Sequence, residues 1–85
     1  MNRRVEWAKR AQKRLVRLDR PTQRRVLGAI ELLVEEGRGD VRRFEGSDDI
    51  DYRLRVGDWR VLFSHLDDGT LLIHDIGSRG DIYKR

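Results

Sequence analysis

Four arginines in the second half of this 85-residue chain have the type and spacing to do chemistry: Arg53 and Arg55 on either side of Leu54, Arg60 after a Gly57-Asp58 pair, and Arg79 after Gly77-Ser78. A guanidinium presents a planar fork of donors that matches phosphate, and it keeps its charge at any physiological pH. Such a set is suited to holding an anion and poorly suited to moving protons. Other chemistries have little to build on. The chain has no cysteine, so disulfides and thiolate zinc sites are excluded. Its two histidines, His65 and His74, have no partner carboxylates at a metal-ligand spacing, and no metal site is expected.

Strand register decides whether these arginines meet. If Gly57-Asp58 is a two-residue hairpin turn, Val56 lies opposite Trp59, Leu54 opposite Val61 and Tyr52 opposite Phe63. One side of the sheet is then apolar, as a half-buried sheet requires. The other side sets Arg55 opposite Arg60 and Arg53 opposite Leu62. A second turn at Asp68-Gly69 pairs His65 with Leu72, Phe63 with His74 and Val61 with Ile76. This places His74 on the apolar side as a structural residue, with Ser64, Ile73, Asp75 and Gly77 on the open side, whose parity extends to Arg79. Directly opposed like charges destabilise a strand pair by about 0.2–1 kcal/mol. The cluster therefore calls for a counter-charge. Either an anionic ligand supplies it, phosphate and in particular RNA phosphate being the best match, or Asp75, Asp51 or another carboxylate neutralises it and nothing binds.

The elements that must position these residues follow from hydrophobic periodicity. Val5 to Trp7 reads as a short strand. Ala8, Ala11, Leu15 and Leu18 mark one face of a helix whose other face carries Lys9, Arg10, Lys13, Arg14 and Arg17. By default those cations form a solvated face. Asp19-Arg20-Pro21 breaks the chain, and Pro21 suits the start of a second helix with Val26, Leu27, Ile30, Leu33 and Val34 as its apolar stripe and Gly37 as its stop. Glu31, Glu35 and Glu36 fall on its solvent side. A short strand near Val41–Phe44, a turn at Ser47-Asp48-Asp49 and strands near 51–56, 59–65 and 71–77 complete the order β-α-α-β-β-β-β. The expected class is α+β: an N-terminal strand, a helical hairpin, then a mainly antiparallel twisted sheet with the helices packed on one face. Trp7 and Trp59 are expected in the core.

Size and composition narrow the functional classes. A chain of this length buries only about 60–65% of its unfolded surface, enough for one domain over residues 1–85 and too little for an enclosed cofactor pocket. No apolar run exceeds three residues, whereas a spanning helix needs about 20. A cytoplasmic protein with no cofactor and no membrane association is expected. The net charge is +4, from 19 basic and 15 acidic residues. Of the basic residues 16 are Arg and 3 are Lys. Phosphate recognition and genomic base composition explain that bias equally well.

The residues of the hairpin, Tyr52-Arg53-Leu54-Arg55-Val56-Gly57-Asp58-Trp59-Arg60-Val61-Leu62-Phe63, resemble the central hairpin of the RelE/ParE toxin superfamily. Gly77-Ser78-Arg79-Gly80-Asp81-Ile82-Tyr83 is similar to the closing motif of that superfamily, and Phe44-Glu45-Gly46 to its "L-x-G" step. The helical hairpin matches in place and length, so the resemblance spans nearly the whole chain. It implies a RelE-like fold and a toxin of a type II toxin–antitoxin system. In RelE-type members the toxin cuts mRNA in the ribosomal A site, through attack of a ribose 2′-hydroxyl on the adjacent phosphate. Carried over by position, the cutting set is Arg53, Arg55, Arg60, Arg79 and Tyr83. Well-known RelE members have lysine at the first two positions. Arginine there can hold phosphate but makes a poor general base. Tyr83 would stack on a base or take part in proton transfer, and Asp81 is a candidate for orienting a catalytic group. Under the same resemblance Lys9, Arg10, Lys13, Arg14 and Arg17 become candidates for contact with ribosomal RNA, and the implied partners are mRNA on the ribosome and a cognate antitoxin. The alternatives are a ParE-like inhibitor of DNA gyrase with no RNA cleavage, and a degenerate non-toxic member that binds RNA or acts in transcription.

Overall fold

The computed structural model describes residues 4–45 and 50–78. Its elements are β1 (Val5–Trp7), α1 (Lys9–Arg17), α2 (Arg20–Glu36), β2 (Asp40–Arg43), β3 (Tyr52–Val56), β4 (Trp59–His65) and β5 (Leu71–Ser78). The five strands form one sheet in the order β1-β5-β4-β3-β2. β1 is parallel to β5, and every other neighbouring pair is antiparallel. The α+β order read from the sequence is therefore the order observed. Ser47-Asp48-Asp49, Gly46, Arg79, Asp81 and Tyr83 lie outside the described residues.

The helical hairpin is set by local chemistry. Pro21 sits in the first turn of α2, where its missing N–H leaves no hydrogen bond unmade. Gly37 ends α2 in the left-handed region at φ 68° and returns its N–H to the Leu33 carbonyl. Gln23 of α2 donates through Nε2 at 2.8 Å to the Leu15 carbonyl, which also accepts the Leu18 N–H at 3.1 Å, and so ties α2 to the end of α1. Ala11, Val26, Ile30, Leu33 and Val34 then pack on Leu54, Val56, Val61, Phe63, Leu71, Ile73 and Ile76 of the sheet. Each of the larger side chains contributes about 1.5–3 kcal/mol by leaving water. Trp7 and Trp59 are half-buried against this core, as expected.

The first hairpin has the register derived from its turn: Tyr52 with Phe63, Arg53 with Leu62, Leu54 with Val61, Arg55 with Arg60 and Val56 with Trp59. Gly57 has φ 61° while Asp58 does not enter positive φ, the pattern of a II′ turn. A Cβ at Gly57 would also collide with the Arg25 guanidinium.

The second hairpin departs from expectation. The chain closes through a longer loop in which Leu66 N–H donates to the Thr70 carbonyl, and the Asp68 carboxylate accepts from the Thr70 N–H at 2.9 Å. His65 therefore pairs with Leu71, not Leu72, and Phe63 with Ile73, not His74. A bulge between Leu62 and Phe63 absorbs the extra residue, so that Val61 still meets Ile76. The consequence is a swap. Ile73, expected on the open side, is buried in the main core, and His74, expected in the core, turns to the open side beside Ser64. Hydrophobic burial decides this: the bulge exchanges a histidine that would need a buried hydrogen-bond partner for an isoleucine that needs none.

Candidate nucleic-acid interface

The side of the sheet away from the helices carries two rungs of arginines. One rung runs Asp40–Arg55–Arg60–Gly77 across β2, β3, β4 and β5, and the next runs Arg42–Arg53–Leu62–Asp75. Directly opposed residues share a face, so Arg42, Arg53, Arg55 and Arg60 all project from this side. Sequence reasoning found three of them. It missed Arg42, because no register was assigned to β2. Alternation with Val41, which packs on the main core opposite Leu54, would have revealed it.

Arg60 is the unusual member. It is only 6% exposed. Its Nη1 donates to the Gly57 and Trp59 carbonyls, both at 3.1 Å, and its Nε has no partner. Among the described residues no carboxylate lies within ion-pair distance of Arg42, Arg53, Arg55 or Arg60. A buried, unmatched donor on a cation is costly, about 1–3 kcal/mol or more. Two opposed like-charge pairs, Arg55 with Arg60 and Arg42 with Arg53, add to that cost. Together these features make a site that gains from an anion of fixed geometry.

The carboxylates that could have neutralised the cluster are engaged elsewhere. Asp75 is buried, with Oδ1 3.2 Å from Arg14 Nε, Oδ2 3.9 Å from Arg10 Nη1, and Oδ1 accepting the Ile76 N–H at 2.9 Å. β1 ends at Trp7, and beyond it α1 lies against β5, where Arg14 also donates to the Ile76 carbonyl. Asp51 is exposed and forms no ion pair among the described residues. Within the cationic face of α1, Arg10 and Arg14 are thus drawn to Asp75, while Lys9, Lys13 and Arg17 remain exposed.

The face is less open than expected. Ile50 and Phe44 cover Leu62, which is completely buried, and form a second small core on the side opposite the helices. Ser64 Oγ accepts the Asp51 N–H at 3.3 Å and lies 2.9 Å from His74 Nε2, which ties this cover to β4 and β5. Ser64 is four residues beyond Arg60, about 13 Å along the strand. His74 therefore stands apart from the Arg55–Arg60 pair. His65 is exposed and packs against the rings of Tyr52 and Phe63 at 5.5 and 5.8 Å. Arg79 and Tyr83, the remaining residues of the expected site, lie outside the described residues. Among the described residues no cluster of potential metal ligands occurs, and no helix is long and apolar enough to cross a membrane.

Comparison with known proteins agrees with this fold. The model of the ParE toxin of type II toxin–antitoxin systems, parDE, matches residues 5–83. Among solved structures, a chain of the archaeal RelE–RelB complex from Pyrococcus horikoshii OT3 is 34% identical, with a TM-score of 0.76 over 95% of this chain and 99% of that one. A chain of the RelB–RelE antitoxin–toxin complex from Methanococcus jannaschii is 23% identical, with a TM-score of 0.71 over 93% and 95%. The isolated E. coli RelE toxin shares the fold at 16% identity, with a TM-score of 0.72 over 95% and 90%. No curated protein matches. With a family match over almost its full length, a shared fold and the expected hairpin register, the chain belongs to the ParE toxin family of type II toxin–antitoxin systems, within the RelE/ParE superfamily.

Proposed function

We propose that this toxin is an endoribonuclease that cuts mRNA, in the ribosomal A site, by attack of a ribose 2′-hydroxyl on the neighbouring phosphate. The observation that carries the reading is Arg60: a nearly buried guanidinium with an unsatisfied Nε, on a face where Arg53 and Arg55 also lack a carboxylate. The reaction forms a bond from the 2′-oxygen to phosphorus, passes through a state with extra negative charge on the phosphoryl oxygens, and releases the 5′-oxygen. Cations fixed in a partly dry site stabilise that charge without reorganising, which is usually the largest contribution to such catalysis. Arg60 is held by two backbone carbonyls, Arg55 faces it, and Arg53 stands one rung away. Arginine does not release its proton near neutral pH. In this reading the arginines act on charge, Arg79 joins them, and Tyr83 takes part in proton transfer or stacks on a base. The cellular partners are then a RelB-like antitoxin and mRNA on the ribosome, in the cytoplasm, with Lys9, Lys13 and Arg17 available to ribosomal RNA. The chains in the Pyrococcus and Methanococcus complexes are paired with RelB, which supports the antitoxin part of this reading.

Primer extension on mRNA in a translating extract tests it. New 3′ ends are expected with the wild type, lost in Arg79→Ala and reduced about 10²–10³-fold in Arg60→Gln. Intact mRNA in the presence of protein that still arrests growth would overturn it. A second reading, inhibition of DNA gyrase without RNA cleavage, is favoured by the ParE description of the matching family. A supercoiling assay with purified gyrase separates the two.

A further inference from the structure

In the second rung of arginines, Arg53 belongs to the five-residue cutting set and Arg42 does not. Arg42 is exposed on β2 and lies directly opposite Arg53 on the arginine side of the sheet. No carboxylate among the described residues pairs with either. Asp40, the acidic residue on the same strand face, is opposite Arg55 and forms no ion pair with it. Asp75, on the same rung, is engaged by Arg10 and Arg14. Exposed Arg42 thus meets a like charge with nothing to offset it, on an edge strand where almost any polar residue would fit. The Arg42–Arg53 rung is two residues along the strands from the Arg55–Arg60 rung, about 6.6–6.8 Å. That separation matches one nucleotide step along an extended single strand. A cationic track at this repeat follows a backbone and ignores its sequence.

We propose that Arg42 and Arg53 form a second phosphate subsite, which takes the backbone phosphate next to the one held at Arg55 and Arg60 in a single RNA strand. This rests on the reading of the arginine face as RNA-binding and is independent of whether the RNA is cut. Arg42 is a strand-positioning residue in this arrangement: it lies across β3 from Arg60 and fixes register along the strand.

The test uses 2′-O-methylated oligoribonucleotides without terminal phosphates, carrying one, two or three internal phosphates, titrated into the full chain by NMR at low salt. These cannot be cleaved, since the attacking hydroxyl is blocked. The wild type is expected to gain about tenfold in affinity between one phosphate and two, with its salt slope growing by about 0.7. Arg42→Gln is expected to bind the one-phosphate probe like the wild type and to lose that gain, and Arg42→Lys to recover part of it. Arg55→Gln is expected to weaken all three probes. The proposal is overturned if the wild type gains nothing from the second phosphate, if Arg42→Gln matches the wild type at every length, or if it weakens the one-phosphate probe equally. A negative mRNA assay alongside the expected titration removes the cleavage reading alone. Cleavage with an unchanged Arg42→Gln titration removes the second subsite alone.

Discussion

A guanidinium with two carbonyls on one nitrogen and, among the described residues, no partner on its Nε, set opposite a second guanidinium, works against folding and would gain from an anion. Replacing the exposed member of the pair should expose the trade. Arg55→Gln is expected to raise stability by about 0.2–1 kcal/mol, roughly 1–8 °C in melting temperature for a domain of this size, while toxicity falls. Inorganic phosphate should stabilise the wild type more than this variant, because a ligand that binds only the folded state raises its melting point by mass action. Thermal melts with and without phosphate measure both effects. His74 teaches a different lesson at this scale. Simple alternation along β5 puts it in the core, and it belongs on the other side because one extra residue is absorbed at the bulge between Leu62 and Phe63.

Two turns carry much of the element-level specification. Gly57 adopts positive φ, and the Arg25 guanidinium of α2 lies against it. Gly57→Ala is therefore expected to cost about 1–2 kcal/mol from the backbone alone, read as a lower urea midpoint at unchanged slope. Because the hairpin also sets Arg55 against Arg60, the same variant should lose activity beyond its loss of stability. The β4–β5 loop makes a pH prediction. The Thr70 hydroxyl and N–H hold the Asp68 carboxyl below its ordinary value of 3.8. Its folded pKa is depressed, so its contribution is present above the unfolded pKa and lost as pH falls through the folded one. Melting temperature measured across the acid range should fall less steeply in Asp68→Ala than in the wild type. Register in this hairpin could not be read from the Asp68-Gly69 pair, since Leu66 and Thr70 close the loop one step outside it.

At the scale of the molecule, Asp75 joins α1 to the sheet. It is 1% exposed and ion-pairs with Arg14 and, more distantly, with Arg10. Arg14→Met is expected to destabilise the protein by about 1–3 kcal/mol, and Arg10→Met by less, because hydrogen bonds to a charged group are worth that much only at close approach. Chemical denaturation of the two variants and their double mutant tests the order. The same contact separates two parts of a cationic surface that looks uniform in the sequence: Arg10 and Arg14 serve the fold, while Lys9, Lys13 and Arg17 remain available to a polyanion.

The order of elements, the helical hairpin and the pairing of Arg55 with Arg60 were all legible in the amino-acid sequence. Each rests on short-range rules: a 3.6-residue period, proline and glycine at helix ends, and a two-residue turn that leaves one register open. The placement of Arg53, Arg55 and Arg60 on one side of the sheet follows from that turn. Three things were decided only by the tertiary structure. The bulge between Leu62 and Phe63 answers to the whole core, which takes Ile73 and releases His74. The engagement of Asp75 by α1 depends on a contact between Arg14 and a residue 61 positions away. The second pair, Arg42 with Arg53, depends on β2 joining the sheet beside β3. Local propensity cannot specify such pairings, because their free energy comes from burial and charge that exist only once distant segments have met.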